Sequence, residues 1–201
     1  MKTELSTFFP ELDLVKNRKW VTKTCQIWQE LMERSEWDTL TAVPFGIKTP
    51  DISLISHTQT VLSYAMKLAN TMQTVHHYNN IDMDILIISC ILHDVDKLLV
   101  TAPNADGSIR LTDIGLDYQH GFFSAYYAEF HGLPSSIVTL LIDHTTFSAL
   151  APDSIEGMIL IMADLCDAEL IRFSRQGTSS LLSALGKSSN RQKLRKRDRD
   201  R

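Results

Sequence analysis

Apolar residues recur at helical intervals along nearly the whole chain, and no run alternates apolar with polar positions as a half-buried strand would. Trp20, Val21, Ile27, Trp28, Leu31 and Met32 fall at such spacings, which predicts an amphipathic helix over residues 15–34 with its tryptophans in the core. Pro44, Gly46 and Pro50 mark a loop, after which Asp51 or Ser53 caps a helix to about Met72 with Val61, Leu62, Ala65, Leu68 and Ala69 inward. Asp82 or Asp84 opens the next helix, ILIISCILHDVDKLLV, apolar all round from Ile85 to Leu92 and therefore expected to be central. The turn-rich segment APNADGSIRLTDIGLD reads as a long loop covering a site. Helices follow from Tyr118 to His131, stopped by Gly132 and Pro134, and from Ser135 to about Phe147. The last begins with Asp153 and Glu156 at capping-box spacing and runs to about Arg175. The fold class is all-α.

Composition narrows this picture. The length of 201 residues suits one domain, and the sequence contains no apolar run of the roughly 18 residues that a membrane span needs. Acids and a proline in MKTELSTFFPELDLVK stand where a secretory signal carries its apolar core. Cys25, Cys90 and Cys166 have neither metal-ligand spacing nor even pairing, and read as core thiols of a cytoplasmic protein. Residues 1–50 are expected to form a helical extension packed on the core, residues 51–186 the main domain, and residues 187–201 a basic, disordered tail. That tail holds eight Lys or Arg against two Asp, leaving twelve basic and twenty-two acidic residues elsewhere. An acidic body argues against nucleic-acid binding except through the tail.

The informative positions are polar residues inside apolar helices, because an unpaired buried imidazole or carboxylate costs several kcal/mol. His93 and Asp94 follow a run of apolar or small residues, His144 follows IVTLLID, and Asp164 sits within MILIMADLCDA. A cation held among them would compensate all of them together. A His-Asp dipeptide alone means little, since about 0.6 is expected by chance in this composition. Lys97 lies one helical turn beyond His93 and Asp94, placed to neutralise a phosphoryl oxygen or to pair with Asp94 or Asp96. Asp96 either takes part in proton transfer or orients Lys97. His131, about 16 Å along the helix from His120, reads as structural, and His76 and His77 as solvent-facing.

The segments SLISHTQTVLSYA, ILHDVDK, YQHGFFSAYYAEFHGLP, LLIDHTTFS and ILIMADLCDAE together resemble the HD-domain superfamily of metal-dependent phosphohydrolases over roughly residues 50–175. The resemblance implies an HD-domain helical bundle in which His57, His93, Asp94 and Asp164 hold one metal ion. His120 and His144 match the added histidines of the binuclear branch, with Asp94 bridging two divalent transition-metal ions: iron or manganese foremost, otherwise zinc, cobalt or nickel. The ISHTQTV and HTTFS contexts are similar to bacterial HD hydrolases that cleave nucleotides, including symmetrical diadenosine tetraphosphatases. The implied activity is hydrolysis of a phosphate ester of a nucleotide or related small molecule by metal-activated water. Asp94 and Lys97 would be its catalytic residues, and Lys97, Arg172 and Arg175 its phosphate contacts, unless the arginines pair with Glu169 or face solvent. Two other readings use the same residues: a mixed-valent di-iron oxygenase, and a non-catalytic nucleotide-binding module. Homodimer pairing through the N-terminal helix stays open.

Overall fold

The computed structural model describes residues 2–145 and 148–184, so the basic tail expected at 187–201 lies outside the described residues. The chain divides into two compact units, residues 1–163 and 164–201. The structure is mostly helical, as the periodicity requires, and among the described residues no helix is long and apolar enough to cross a membrane.

In the first unit, α1 (Lys2–Phe8) and a 3-10 turn (Pro10–Leu14) lead into α2 (Arg18–Arg34). Helix α3 (Leu54–Thr74) is capped by Ser53, whose hydroxyl accepts the Ser56 N–H at 3.1 Å. Helix α4 (Met83–Leu92) is capped by Asp82, whose carboxylate accepts the N–H groups of Asp84 and Ile85. Every residue of α4 from Leu86 to Leu92 is buried, so this helix is the axis of the core. Against it pack Val21, Ile27, Trp28 and Leu31 of α2 and Val61, Leu62, Ala65 and Ala69 of α3, while Leu68, expected inward, is exposed. Leu5, Phe9, Leu12 and Val15 join the same cluster. The Asp84 carboxylate accepts the N–H groups of Lys16 and Asn17 at 2.9 and 2.8 Å, tying the start of α2 to the start of α4.

Two short hairpins depart from the helical expectation. Strands β1 (Pro44–Gly46) and β2 (Thr49–Ser53) pair antiparallel just before α3, with Pro44 opposite Ser53 and Gly46 opposite Thr49. Strands β3 (Thr101–Pro103) and β4 (Ile109–Leu111) pair with Thr101 opposite Leu111. Strands of three to five residues are too short to display alternation, and prolines in three of them read as loop signals. The segment expected as a long loop is thus a hairpin followed by α6 (Asp113–Asp117). The Thr112 hydroxyl caps α6 by accepting the Gly115 N–H and donates to the Leu99 carbonyl at 2.6 Å.

The expected continuous helix through the His-Asp pair also breaks. Residues 93–96 form turns, and α5 (Lys97–Val100) follows as a separate helical turn. Helix α7 spans Phe122–Phe130 and begins after His120 rather than containing it; α8 spans Ser135–Asp143. Helix α9 (Ile155–Gln176) starts in the first unit and is capped by the Ser154 hydroxyl, which accepts the Gly157 N–H. Glu156 forms no capping box there; its carboxylate accepts the Asp82 N–H at 2.7 Å and anchors the start of α4. In the second unit α10 (Ser180–Ala184) folds onto Glu169, whose carboxylate accepts from Ser179 Oγ, Ser180 Oγ and the Leu181 N–H. Burial opposes ionisation of Glu169, but these donors and Arg172 hold its carboxyl below the usual value. Cys25 and Cys90 are core thiols as expected, whereas Cys166 is exposed.

Candidate metal centre

The end of α4 shows how the sequence aims its first ligands. An α-helix leaves its last four carbonyls without partners inside the helix, and a buried end must find them elsewhere. Here His93 Nδ1 donates to the Cys90 carbonyl at 2.7 Å, Trp28 Nε1 donates to the Ile91 carbonyl at 3.2 Å, and the Val95 N–H donates to the Leu92 carbonyl at 3.2 Å. With Nδ1 donating to that carbonyl, the neutral form of His93 carries its lone pair at Nε2. His144, which closes α8, repeats the device: its Nδ1 donates to the Leu141 carbonyl at 2.9 Å. Its buried Nε2 finds no hydrogen-bond partner among the described residues.

These lone pairs converge on Asp94, which lies in the turn after α4 and is buried. Asp94 Oδ2 lies 3.3 Å from His57 Nε2 and 3.5 Å from His93 Nε2, and the two imidazole nitrogens are 3.3 Å apart. Metal–ligand bonds of about 2.0–2.1 Å put adjacent ligand atoms roughly 3.0–3.4 Å apart in octahedral or tetrahedral coordination, so this triangle has the size of one ion's ligand face. Asp94 Oδ1 faces the other way, 2.7 Å from His120 Nε2 and 3.8 Å from His144 Nε2. Two groups of potential ligands therefore share one carboxylate: His57, His93 and Asp94, and Asp94, His120 and His144. An orphaned, buried Nε2 aimed at a carboxylate oxygen calls for a cation between them, and the all-nitrogen-and-oxygen donor set suits a first-row divalent metal.

The His120 turn is placed by Asp96 and Gly121. Gly121 has φ +89, and a Cβ there would lie 2.9 Å from the Leu141 carbonyl oxygen and 3.3 Å from His144 Cε1. Only glycine lets this turn come so close to α8. Buried Asp96 accepts the Gly121 N–H at 2.6 Å through Oδ2. Its Oδ1 lies 3.1 Å from His120 Nδ1, close enough for an ion pair though not aligned as a hydrogen bond. Asp96 thus orients His120, not Lys97. Burial disfavours a charge on His120, but Asp96 and Asp94 outweigh it and push its pKa up to about 10. Burial likewise opposes ionisation of Asp94, yet Lys97, His93 and His120 hold its carboxyl well below the usual range. Asp96 is held low in the same way, chiefly by His120 against the cost of burial.

The sequence profile of the HD domain matches residues 54–169, which include His57, the His93-Asp94 pair, His120, His144 and Asp164. The chain belongs to the HD-domain family. No curated protein and no solved structure matches it.

Within this HD segment, Lys97 donates to Asp94 Oδ2 at the edge of the centre, and its ammonium lies 4.2 Å from the centroid of the Phe45 ring. Asp164 lies on α9 where the second unit begins, and its place among the ligands rests on the resemblance alone. In that unit Arg172 pairs with Glu169, the alternative weighed against a phosphate contact; Arg175 lies on the same helix, α9. His131 pairs with Glu30 at 3.0 Å, as befits a structural role, and His76 and His77 are exposed. The sequence reading missed Phe45, which comes from β1, upstream of the HD segment. Its ring lies 3.9 Å from that of His57. A single aromatic residue in the three-residue strand Pro-Phe-Gly carries no periodic signal, so only tertiary packing reveals it.

Proposed function

We propose that this HD-domain protein is a phosphohydrolase that cleaves a phosphate ester of a nucleotide or related small molecule. The observation that carries the reading is the Asp94 carboxylate, each of whose oxygens faces its own pair of imidazoles. His57 and His93 are assigned to one ion, with Asp164 added from the family pattern, and His120 and His144 to a second, with Asp94 between them. Such a pair of ions, when bound, supplies a water of lowered pKa and a clamp for the phosphoryl oxygens.

The chain's own residues do the rest. The backbone contacts of His93 and His144 hold a proton on Nδ1 and so turn Nε2 toward Asp94. Asp96 holds the His120 ring in position and takes up the charge at its Nδ1. Lys97, within reach of the Asp94 carboxylate, neutralises a phosphoryl oxygen as negative charge builds on it. Phe45 covers the face of His57 and keeps bulk water from that side.

The test is metal content per chain, measured alongside hydrolysis, for Asp94→Ala and His120→Ala. Asp94→Ala removes a ligand from both ions and should abolish activity with at most weak, substoichiometric metal. His120→Ala should keep one ion. Two ions retained in Asp94→Ala would overturn the bridging assignment. Turnover of a phosphorus or carbon substrate only in air would favour the di-iron oxygenase reading instead.

A further inference from the structure

A cavity of about 200 Å³ opens beside Lys97 and His120. Its walls come from two elements that flank the centre: Phe45 and Ile47 from the β1–β2 hairpin, and Leu111 and Tyr118 from the segment between α5 and α7. The lining holds two kinds of chemistry. Lys97 and His120, both paired with Asp94, bring charge suited to a phosphoryl group. Most of the other side chains offer carbon: the rings of Phe45 and Tyr118 and the aliphatic surfaces of Ile47, Val100 and Leu111. Three further polar groups beside it are already engaged. The Thr101 hydroxyl donates to the Lys97 carbonyl at 2.8 Å, the Gly115 N–H donates to Thr112, and the Gly46 carbonyl accepts from Thr49.

A sugar bearing several hydroxyls would lose its water hydrogen bonds here and find few replacements. A ring or short alkyl group would lose nothing of the kind, and a cavity of about 150 Å³ is enough for benzene. A whole nucleoside is larger than the space.

Resting on the phosphohydrolase reading above, we propose that this cavity receives the organic group of the ester and selects a compact apolar or single-ring group next to the scissile phosphate. Phe45, Ile47, Leu111 and Tyr118 are then specificity residues, and the first two lie outside the HD segment. A nucleotide would enter with one ring at most, its remainder lying past Tyr118, which is half exposed.

Two measurements test this on the full chain. The first compares kcat/KM for phenyl phosphate, glucose 6-phosphate and adenosine monophosphate on metal-loaded protein, for wild type, Ile47→Trp and Leu111→Trp. Both replaced side chains are about two-fifths exposed, 42% and 40%, so the larger ring can be accommodated by the fold. Phenyl phosphate should exceed the sugar phosphate by about tenfold or more, and each variant should cut that ratio by about tenfold through KM. The second needs no turnover: phenol should give intermolecular NOEs to the Phe45 and Tyr118 rings in the wild type and lose them in Leu111→Trp. Phenol contacts without hydrolysis of any ester would keep the pocket and sink the hydrolase reading. Absence of those contacts, or equal kcat/KM for all three esters, would overturn the pocket.

Discussion

Replacing Trp28 by phenylalanine isolates the contact that joins the N-terminal helices to the helix ending in the metal centre. Trp28 is fully buried, stacks obliquely on Phe9 with centroids 5.9 Å apart, and donates its indole N–H to the Ile91 carbonyl. That carbonyl is one of the last four of α4, in a place water does not reach. Phenylalanine keeps most of the apolar contact but leaves the carbonyl short of its partner, which costs about 1–3 kcal/mol. The smaller ring also leaves a cavity, adding roughly 1 kcal/mol. The total of about 2–4 kcal/mol converts to a fall in Tm of roughly 5–15 °C for a domain of this size. Urea unfolding followed by far-ultraviolet circular dichroism measures it, with Trp20→Phe as reference because that ring is only partly buried. The reference should lose under about 1 kcal/mol. Metal affinity should fall as well, because the same carbonyl row fixes His93. A loss below about 0.5 kcal/mol in Trp28→Phe, with the unfolding slope unchanged, would refute the idea that this hydrogen bond completes the buried end of α4.

The His120 turn yields three further outcomes. In metal-free protein His120, with its pKa pushed up to about 10, is protonated at pH 8, so metal binding at its site should release close to one proton and strengthen with rising pH. Calorimetry in buffers of different ionisation enthalpy reads this directly, and a heat independent of buffer would contradict it. The stabilisation of the metal-free fold by the same group is fully present below about pH 6.5 and is lost as pH rises through about 10. Gly121→Ala forces a side chain onto positive φ and against the Leu141 carbonyl, costing about 2–3 kcal/mol and the second ion. Gly107→Ala, also at positive φ but with open space around it, should cost only about 1 kcal/mol and keep both ions.

Much of this protein is legible in its sequence because periodicity and burial chemistry are local. A helix apolar on all sides, from Leu86 to Leu92, has to lie at the centre of a fold, and it does. Polar residues breaking such apolar stretches must be compensated. That chemistry singled out His93, Asp94 and His144, the resemblance to the HD family added His57 and His120, and the structure brings these five together around Asp94. Turn chemistry also narrowed two caps to Asp51 or Ser53 and to Asp82 or Asp84, of which Ser53 and Asp82 serve.

Only the tertiary structure decided how those residues face one another. Helical phase cannot say which nitrogen of an imidazole carries the proton, and that depends on the Cys90 and Leu141 carbonyls left over at two helix ends. Nor could the sequence choose a role for Asp96, because its partner, His120, lies far along the chain and is brought near by a glycine turn pressed against α8. The hairpins escaped notice because their strands are too short to alternate. With them went Phe45, whose place over His57 and beneath Lys97 comes from packing between distant segments, a relation that no local pattern of residues encodes.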